Sequence, residues 1–438
     1  MRFRVRPVAR LAGRVEVPGD KSVSHRAALL GALAEGITEV HGYLEADDCL
    51  RTLAAVQALG CEVTRKGPGH YRIAGAGPGG PQEPGDVIDC GNSGTTARLL
   101  TGLLAGQPFV TVLTGDESLR RRPMGRVTEP LARMGATFVG RANGTKLPLA
   151  VRGRRPLAAL AYASPVASAQ VKSAILLAGL GADGPVSVTE PAPSRDHSER
   201  MLRLFGARVG TRGLTVTLTP GGLRGTTVQV PGDISSAAFL LVAGAIVPDA
   251  RVTVARAGVN PTRTGLLDVL AAMGARVDAP PAAGEPGGEP MADLTIATSE
   301  LHGAAAGGPL IPRLIDEVPV LAVAACRARG VTTIADAGEL RVKESDRIAA
   351  LARELGRMGV RVAERPDGLA IEGPQALRGA RVASGGDHRM AMALAVAGLV
   401  ADGETVVEDT ACVATSFPQF VATINALAGV EAIRVEEA

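Results

Sequence analysis

Tryptophan is absent from this 438-residue chain, and aromatic residues make up only 2% of it. A core so poor in rings must be filled by Ala, Val, Leu and Ile, an interior suited to helices packed on sheets. Proteins that bind single-stranded nucleic acid stack bases on aromatic side chains, so that class is disfavoured. Charge of one sign is also scarce: 47 Lys and Arg stand against 44 Asp and Glu, a formal net charge of +3. A polyanion binder carries a stronger basic bias, and no nucleic-acid partner is expected. Cysteines are few and odd in number (Cys49, Cys61, Cys90, Cys326 and Cys412), with no CxxC pair. They read as thiols in a reducing compartment rather than as a disulfide framework. No uninterrupted apolar run reaches membrane-spanning length, and the opening MRFRVRPVARLAG lacks the apolar centre of a signal peptide. A cytoplasmic location with no membrane partner is expected. The six histidines show no HxxxH spacing, so no metal is expected.

What the chain has instead is length, a 46% apolar content and a repeat. Its length predicts two domains. One pattern recurs six times: a polar turn, an Ala/Leu-rich helix, a small-residue stop, a β-branched strand and a second helix ending near Gly-Ala. The six first helices start near Ser22, Ser93, Ala167, Asp233, Asp316 and Asp387, and the strands that follow read ITEVHG, FVTVLTG, PVSVTE, RVTVAR, VTTIAD and ETVVED. Stops at Gly36, Gly106 and Gly184 fall about 70 and 80 residues apart, and Gly330 and Gly403 continue the series. The first helices are apolar on nearly every face and should be buried, whereas MGRVTEPLARMGA and ESDRIAALARELGRMG are amphipathic and should lie outside. VEVPGDKS at Val15–Ser22 returns as VQVPGDIS at Val228–Ser235. The expected division is therefore 15–229 for one domain of three repeats, with 1–14 and 230–438 forming the other. The Gly/Pro stretches AGAGPGGPQEPG and APPAAGEPGGEP read as surface loops inside units.

Buried helices of a repeat share a direction, so their N-termini should gather on one face of each domain. Each terminus brings unpaired N–H groups and about half a positive charge. Two such faces across a cleft would trap anions. Functional side chains crowd these starts: Lys21, Ser22, Ser24, His25 and Arg26 at the first, Asn92, Ser93, Thr95, Thr96 and Arg98 at the second, and Ser168, Gln170 and Lys172 at the third. His388 and Arg389 stand at the sixth, while Asp316 opens the fifth and Glu344 lies between Lys343 and Arg347 in RVKESDR. A lone Ser or Asn at such a place is an ordinary helix cap. Lys, Arg and hydroxyls together are costly to bury unpaired and point to anion binding. Carboxylates among cations can shuttle protons to and from a bound anion. Two look-alikes are set aside. Gly75, Gly77 and Gly80 match GxGxxG without a following helix, and PGDKS has Asp20 where a phosphate loop has Gly.

Seven segments in order, PGDKSVSHRA, GNSGTTARLL, RRRPMGR, ASAQVKSA, SRDHSERM, RVKESDR and DHRMAMA, resemble the 5-enolpyruvylshikimate-3-phosphate synthases over essentially the whole chain. The resemblance implies an α/β enolpyruvyl transferase fold: a two-domain inside-out α/β barrel of six βαβαββ-type units, three per domain. It implies transfer of the enolpyruvyl group of phosphoenolpyruvate to the 5-hydroxyl of shikimate 3-phosphate by addition and elimination, in a cleft between the domains. No cofactor is implied, and a monomer is expected.

By the same resemblance, shikimate 3-phosphate would meet Lys21, Ser22, Arg26, Ser168, Gln170, Arg195, Asp316 and Lys343. Phosphoenolpyruvate would meet Lys21, Gly94, Arg122, Gln170, Arg347 and Arg389, with Asn92, Thr95, Arg98 and His388 in support. Asp316 would be the base on the 5-hydroxyl and Glu344 the proton donor and acceptor at C3, with Lys21 assisting the leaving phosphate. Ala169, Arg195 and Thr415 stand where one form of the family has serine, a Ser and Tyr pair, and lysine, which fits its second bacterial class. The small Gly94 is the family's residue for admitting glyphosate. The alternatives are a UDP-N-acetylglucosamine enolpyruvyl transferase and a non-catalytic anion-binding repeat protein. LTGDESLRRRPMG lacks the loop cysteine of the former, and the acids Asp316 and Glu344 argue against the latter.

Overall fold

The computed structural model describes residues 1–280 and 288–437. The chain divides into two compact units. The first holds Gly19–Pro231 together with Gly288 and Glu289, and the second holds Met1–Pro18 and the remaining described residues from Gly232 on. The crossings thus fall after Pro18 and after Pro231, a few residues beyond those expected from the sequence repeat. The strand Leu11–Glu16 pairs with Ala250–Gly258, which assigns it to the second unit.

The sequence repeat reappears as strand pairing. Among the described residues there are six four-stranded sheets, three in each unit, and one two-stranded sheet. Every four-stranded sheet follows one scheme: a parallel pair, then two antiparallel partners. In the first unit Thr227–Gln229 runs parallel to Ile37–His41, which pairs antiparallel with His70–Ala74, and that with Glu62–Gly67. In the second, Leu11–Glu16 runs parallel to Ala250–Gly258, followed by Met291–Ala297 and Val277–Asp278. All six expected β-branched segments are strands at the centre of this scheme.

The six inner helices are α1 (Lys21–Leu33), α2 (Gly94–Ala105), α3 (Ala169–Gly179), α4 (Ile234–Ile246), α5 (Val318–Arg327) and α6 (His388–Gly398). They are buried almost all round, α4 at every residue, as their unbroken apolar composition requires. Small residues set how near they approach. A Cβ on Gly102 of α2 would lie 2.3 Å from the carbonyl oxygen of Ala174 in α3, so the two backbones meet directly. Three of the stops, Gly36, Gly330 and Gly403, hold φ of +89°, +95° and +91°, which glycine adopts without strain. Rings are few, and four of the seven phenylalanines gather in the second core, where Phe420 packs against Phe3, Phe239 and Phe417.

Five of the six inner helices carry a side-chain cap, and an aspartate provides three of them. Asp20, Asp233 and Asp387 accept from Val23, Ser235 and Arg389 N–H at 2.9, 2.8 and 2.9 Å. Ser93 and Ser168 cap α2 and α3. The amphipathic outer helices Gly125–Arg133 and Arg347–Arg357 are present. The second starts later than RVKESDR suggests. Asp346 caps it by accepting from Ala349 N–H at 3.1 Å, so Lys343 and Glu344 lie ahead of the helix, after a 3-10 turn over Gly338–Val342. The first Gly/Pro stretch is irregular around a short turn at Gly77–Gly79. The central part of the second, 281–287, lies outside the described residues.

Candidate active site

Within the first unit, the starts of α1, α2 and α3 are tied to one another by side chains. Lys21, the first residue of α1, forms an ion pair with buried Asp48 at the head of the helix Asp47–Ala58. Beneath it runs a neutral chain: His25 Nδ1 meets Thr52 Oγ1 at 2.7 Å, Thr52 meets Thr96 Oγ1 at 2.7 Å, and Thr96 donates to Ser93 Oγ at 2.7 Å. Burial pushes the His25 pKa down to about 3, so this imidazole stays uncharged.

Around α2 and α3, Arg98 donates to Gln170 Oε1 at 2.8 Å, and Gln170 donates to Thr95 Oγ1 at 3.0 Å. Arg122 donates to Asn92 Oδ1 at 2.8 Å, and Asn92 in turn donates to Asp116 at 2.6 Å. Gly94 opens α2 between them: a Cβ there would sit 2.8 Å from Arg98 Nη1 and 3.4 Å from Arg122 Nη1. Two guanidinium groups therefore converge on the first residue of a helix, beside its Ser93 cap, an anion-binding arrangement.

Arg26, which the resemblance assigns to shikimate 3-phosphate, is held by three serines. It is buried, and its three guanidinium nitrogens donate to Ser198 Oγ at 2.7 Å, the Ser22 carbonyl at 2.9 Å and Ser173 Oγ at 2.7 Å. Desolvation brings its pKa down to about 10. Arg195 is close enough to repel it, and Glu199 and Glu289 offset that repulsion. Ser168 donates its N–H to Glu190 at 2.8 Å. Glu190 and Glu199 grip the fully buried Lys172 at 2.7 and 2.8 Å. Burial opposes the Lys172 charge, but the two carboxylates outweigh it and hold its pKa above the ordinary lysine value.

The second unit assembles the acids. Asp316 Oδ1 lies 3.4 Å from Arg347 Nη1, 3.6 Å from Lys343 Nζ and 3.9 Å from Arg389 Nε. Glu344 accepts from Arg347 Nη2 at 2.7 Å, and Asp387 accepts from Arg347 Nε at 2.8 Å and from Ser345 at 3.0 Å. Three carboxylates from separate stretches of chain thus meet around one guanidinium, with Lys343 and Arg389 beside Asp316. Arg347 is fully buried, and burial opposes its charge, yet Asp387, Glu344 and Asp316 more than compensate and raise its pKa. Burial works against Asp387 ionising as well, but Arg347 outweighs it and keeps that carboxylate below its usual range. His388, the first residue of α6, is buried beside it.

Sequence reasoning missed Asp48, Glu190, Glu199, Ser173 and Ser198, the partners that hold the expected residues. Their signal was weak: a polar residue on an outer helix or loop names no partner until the fold supplies one. Thr415, in the place of a family lysine, donates to the Cys412 carbonyl at 2.7 Å.

Comparison with known proteins follows the same lines. A profile of the family described as EPSP synthase (3-phosphoshikimate 1-carboxyvinyltransferase) matches residues 5–424. A 3-phosphoshikimate 1-carboxyvinyltransferase of Gloeobacter violaceus is 57% identical over 95% of this chain and 97% of its own. That of Desulforamulus reducens is 54% identical over 96% and 98%. Among solved structures, EPSP synthase from Acinetobacter baumannii aligns over 100% of both chains with a TM-score of 0.89 and 43% identity. The enolpyruvyl transferase NikO from Streptomyces tendae, at 19% identity and a TM-score of 0.80, shares the fold.

Proposed function

The chain belongs to the EPSP synthase family and transfers the enolpyruvyl group of phosphoenolpyruvate to shikimate 3-phosphate, and we propose that its two side-chain clusters divide that reaction between anion binding and proton transfer. Phosphoenolpyruvate is held by Lys21, the Gly94 end of α2, Arg122, Gln170, Arg347 and Arg389. Asn92, Thr95, Arg98 and His388 fix the orientation of those groups. Shikimate 3-phosphate is held by Lys21, Ser22, Ser168, Gln170, Arg195, Asp316 and Lys343. Arg26 acts from behind Ser22, through the bond to its carbonyl.

The reaction adds and then eliminates. Asp316 takes the proton of the 5-hydroxyl as that oxygen attacks C2, while Glu344 gives a proton to C3. Glu344 then removes a proton from the C3 methyl group, the C2–C3 double bond re-forms and phosphate departs, its charge met by Lys21. Fixed cations suit this sequence because charge moves through the bound anions while the protein dipoles stay in place. Arg347 lies within 3.4 Å of both acids and sets the field in which they exchange protons.

The observation that carries this reading is the convergence of Asp316, Lys343, Glu344, Arg347, Asp387 and Arg389 in one unit. Acids so embedded among cations are poised for proton transfer more than for anchoring a fold. The enzyme works as a cytoplasmic monomer without metal, cofactor or nucleic acid. Among the described residues, no helix is long and apolar enough to cross a membrane. The test is phosphate release from phosphoenolpyruvate with each acceptor offered separately. Release with shikimate 3-phosphate alone is expected. Release with UDP-N-acetylglucosamine instead refutes the assignment, and release with neither favours a non-catalytic anion binder.

A further inference from the structure

Next to Asp316 lies a charge pair that the reaction described above does not use. Arg263 and Glu317 are 2% and 1% exposed. Arg263 Nη2 donates to Ser235 Oγ at 2.6 Å and lies 3.4 Å from Glu317 Oε1 and 3.9 Å from Asp233 Oδ1. Ser235, in the first turn of α4, donates its hydroxyl to the same Glu317 oxygen. Glu317 is also fixed through its backbone: its N–H donates to Leu314 at 2.8 Å, and its carbonyl accepts from Leu321 at 3.0 Å.

We propose that the buried Arg263–Glu317 pair, bridged by Ser235, is a positioning device for Asp316, and this rests on the reading of Asp316 as the base. Glu317 has helical backbone angles (φ −93°, ψ −7°). Consecutive helical side chains diverge by roughly 100°. Drawing Glu317 to Arg263 therefore turns Asp316 to another side, toward Lys343, Arg347 and Arg389. Stability alone does not account for the pair. Buried ion pairs are poor stabilisers even when fully bonded, and Glu317 Oε2 has no hydrogen-bond partner among the described residues. The α5 start itself has no side-chain cap, so the pair supplies the constraint that a capping bond gives the other five inner helices.

The test is a double-mutant cycle between Arg263→Met and Asp316→Asn, with kcat and both KM values measured and folding checked by circular dichroism. Arg263→Met is expected to lower kcat about 100-fold, the cost of a reacting group misplaced by about 1 Å, with both KM values within about threefold. In the Asp316→Asn background it should lower kcat no further. Losses that multiply, or an Arg263→Met enzyme with full kcat, overturn the proposal. Asp316→Asn alone measures the underlying reading. Full activity there refutes Asp316 as the base and removes the pair's function, whereas an inactive Asp316→Asn beside a fully active Arg263→Met refutes the positioning alone. Should Arg263→Met not fold, Arg263→Lys keeps the charge without the planar fork. Its kcat should fall by about tenfold in the wild-type background and remain unchanged in Asp316→Asn; an unchanged kcat in the first, or a further loss in the second, overturns the proposal.

Discussion

The two units set different chemistry on the same ground. In the first, the starts of α1 and α2 are joined by an uncharged chain of His25, Thr52, Thr96 and Ser93. In the second, the starts of α4 and α5 are joined by Asp233, Ser235, Arg263 and Glu317, a network of charges. The turns that lead into α1 and α4 are nearly identical, PGDKS and PGDIS, and both use aspartate as the cap. A helix N-terminus favours anions wherever it stands. In the first unit the capped starts of α1 and α2 also carry the cations Lys21, Arg98 and Arg122. In the second, the starts of α5 and α6 carry the acids Asp316 and Asp387, which Lys343, Arg347 and Arg389 balance. One scaffold thus yields a binding face and a proton-handling face through the residues at its helix starts.

The first way to break this contrast is to substitute one residue on each side. Glu344→Gln keeps the shape of the second cluster and should lower kcat by about 10²–10⁴, with both KM values little changed. Lys21→Ala should lower kcat/KM by about 10²–10³, part of it as a raised KM for phosphoenolpyruvate. Steady-state kinetics separate the two. If Glu344→Gln acts only through KM, the division is wrong.

Gly94→Ala sharpens the first side alone. Its Cβ would sit 2.8 Å from Arg98 Nη1, the far end of a flexible side chain held by Gln170, so the guanidinium must shift while the fold survives. KM for phosphoenolpyruvate should rise by about tenfold, the loss of one well-placed charged contact. An unchanged KM would show that Arg98 and Arg122 do not converge on the substrate.

At neutral pH the smallest effect concerns the neutral chain, which shows itself only as pH falls. The folded-state pKa of His25 is lowered to about 3, so its stabilising contribution is present above the unfolded value of about 6.5 and is lost as pH falls toward 3. The slope is about 1.4 kcal/mol per pH unit across that window. In denaturant titrations His25→Gln should remove this slope relative to the parent. Equal slopes would mean that the imidazole is charged in the folded protein and that the chain is not neutral.

Much of this was legible in the sequence, and the reason is the repeat. Six apolar helices, each followed by a β-branched strand, specify six equivalent sheets, and the residues crowding the helix starts specify where chemistry gathers. Asp316 and Arg389 could be picked out because charges beside apolar helices are conspicuous, and Glu344 and Arg347 because RVKESDR resembles a family segment. Their partners could not. Asp48 meets Lys21 across 27 residues and Asp387 meets Arg347 across 40, and neither separation follows a local period. Arg26 was assigned to the substrate phosphate by resemblance, and nothing in the sequence signals that Ser22, Ser173 and Ser198 take three of its five N–H donors. The start of the outer helix was misread because ESDR looks helical, whereas the Asp346 cap begins that helix at Arg347.

The division between a binding face and a proton-handling face is tested most directly by deuterium exchange at C3. Phosphoenolpyruvate recovered from turnover in heavy water with shikimate 3-phosphate should carry deuterium on its methylene carbon, because Glu344 adds and removes a proton there. Glu344→Gln should still bind both substrates by calorimetry and leave the recovered phosphoenolpyruvate unlabelled. Labelling at the parent rate in Glu344→Gln would contradict the account.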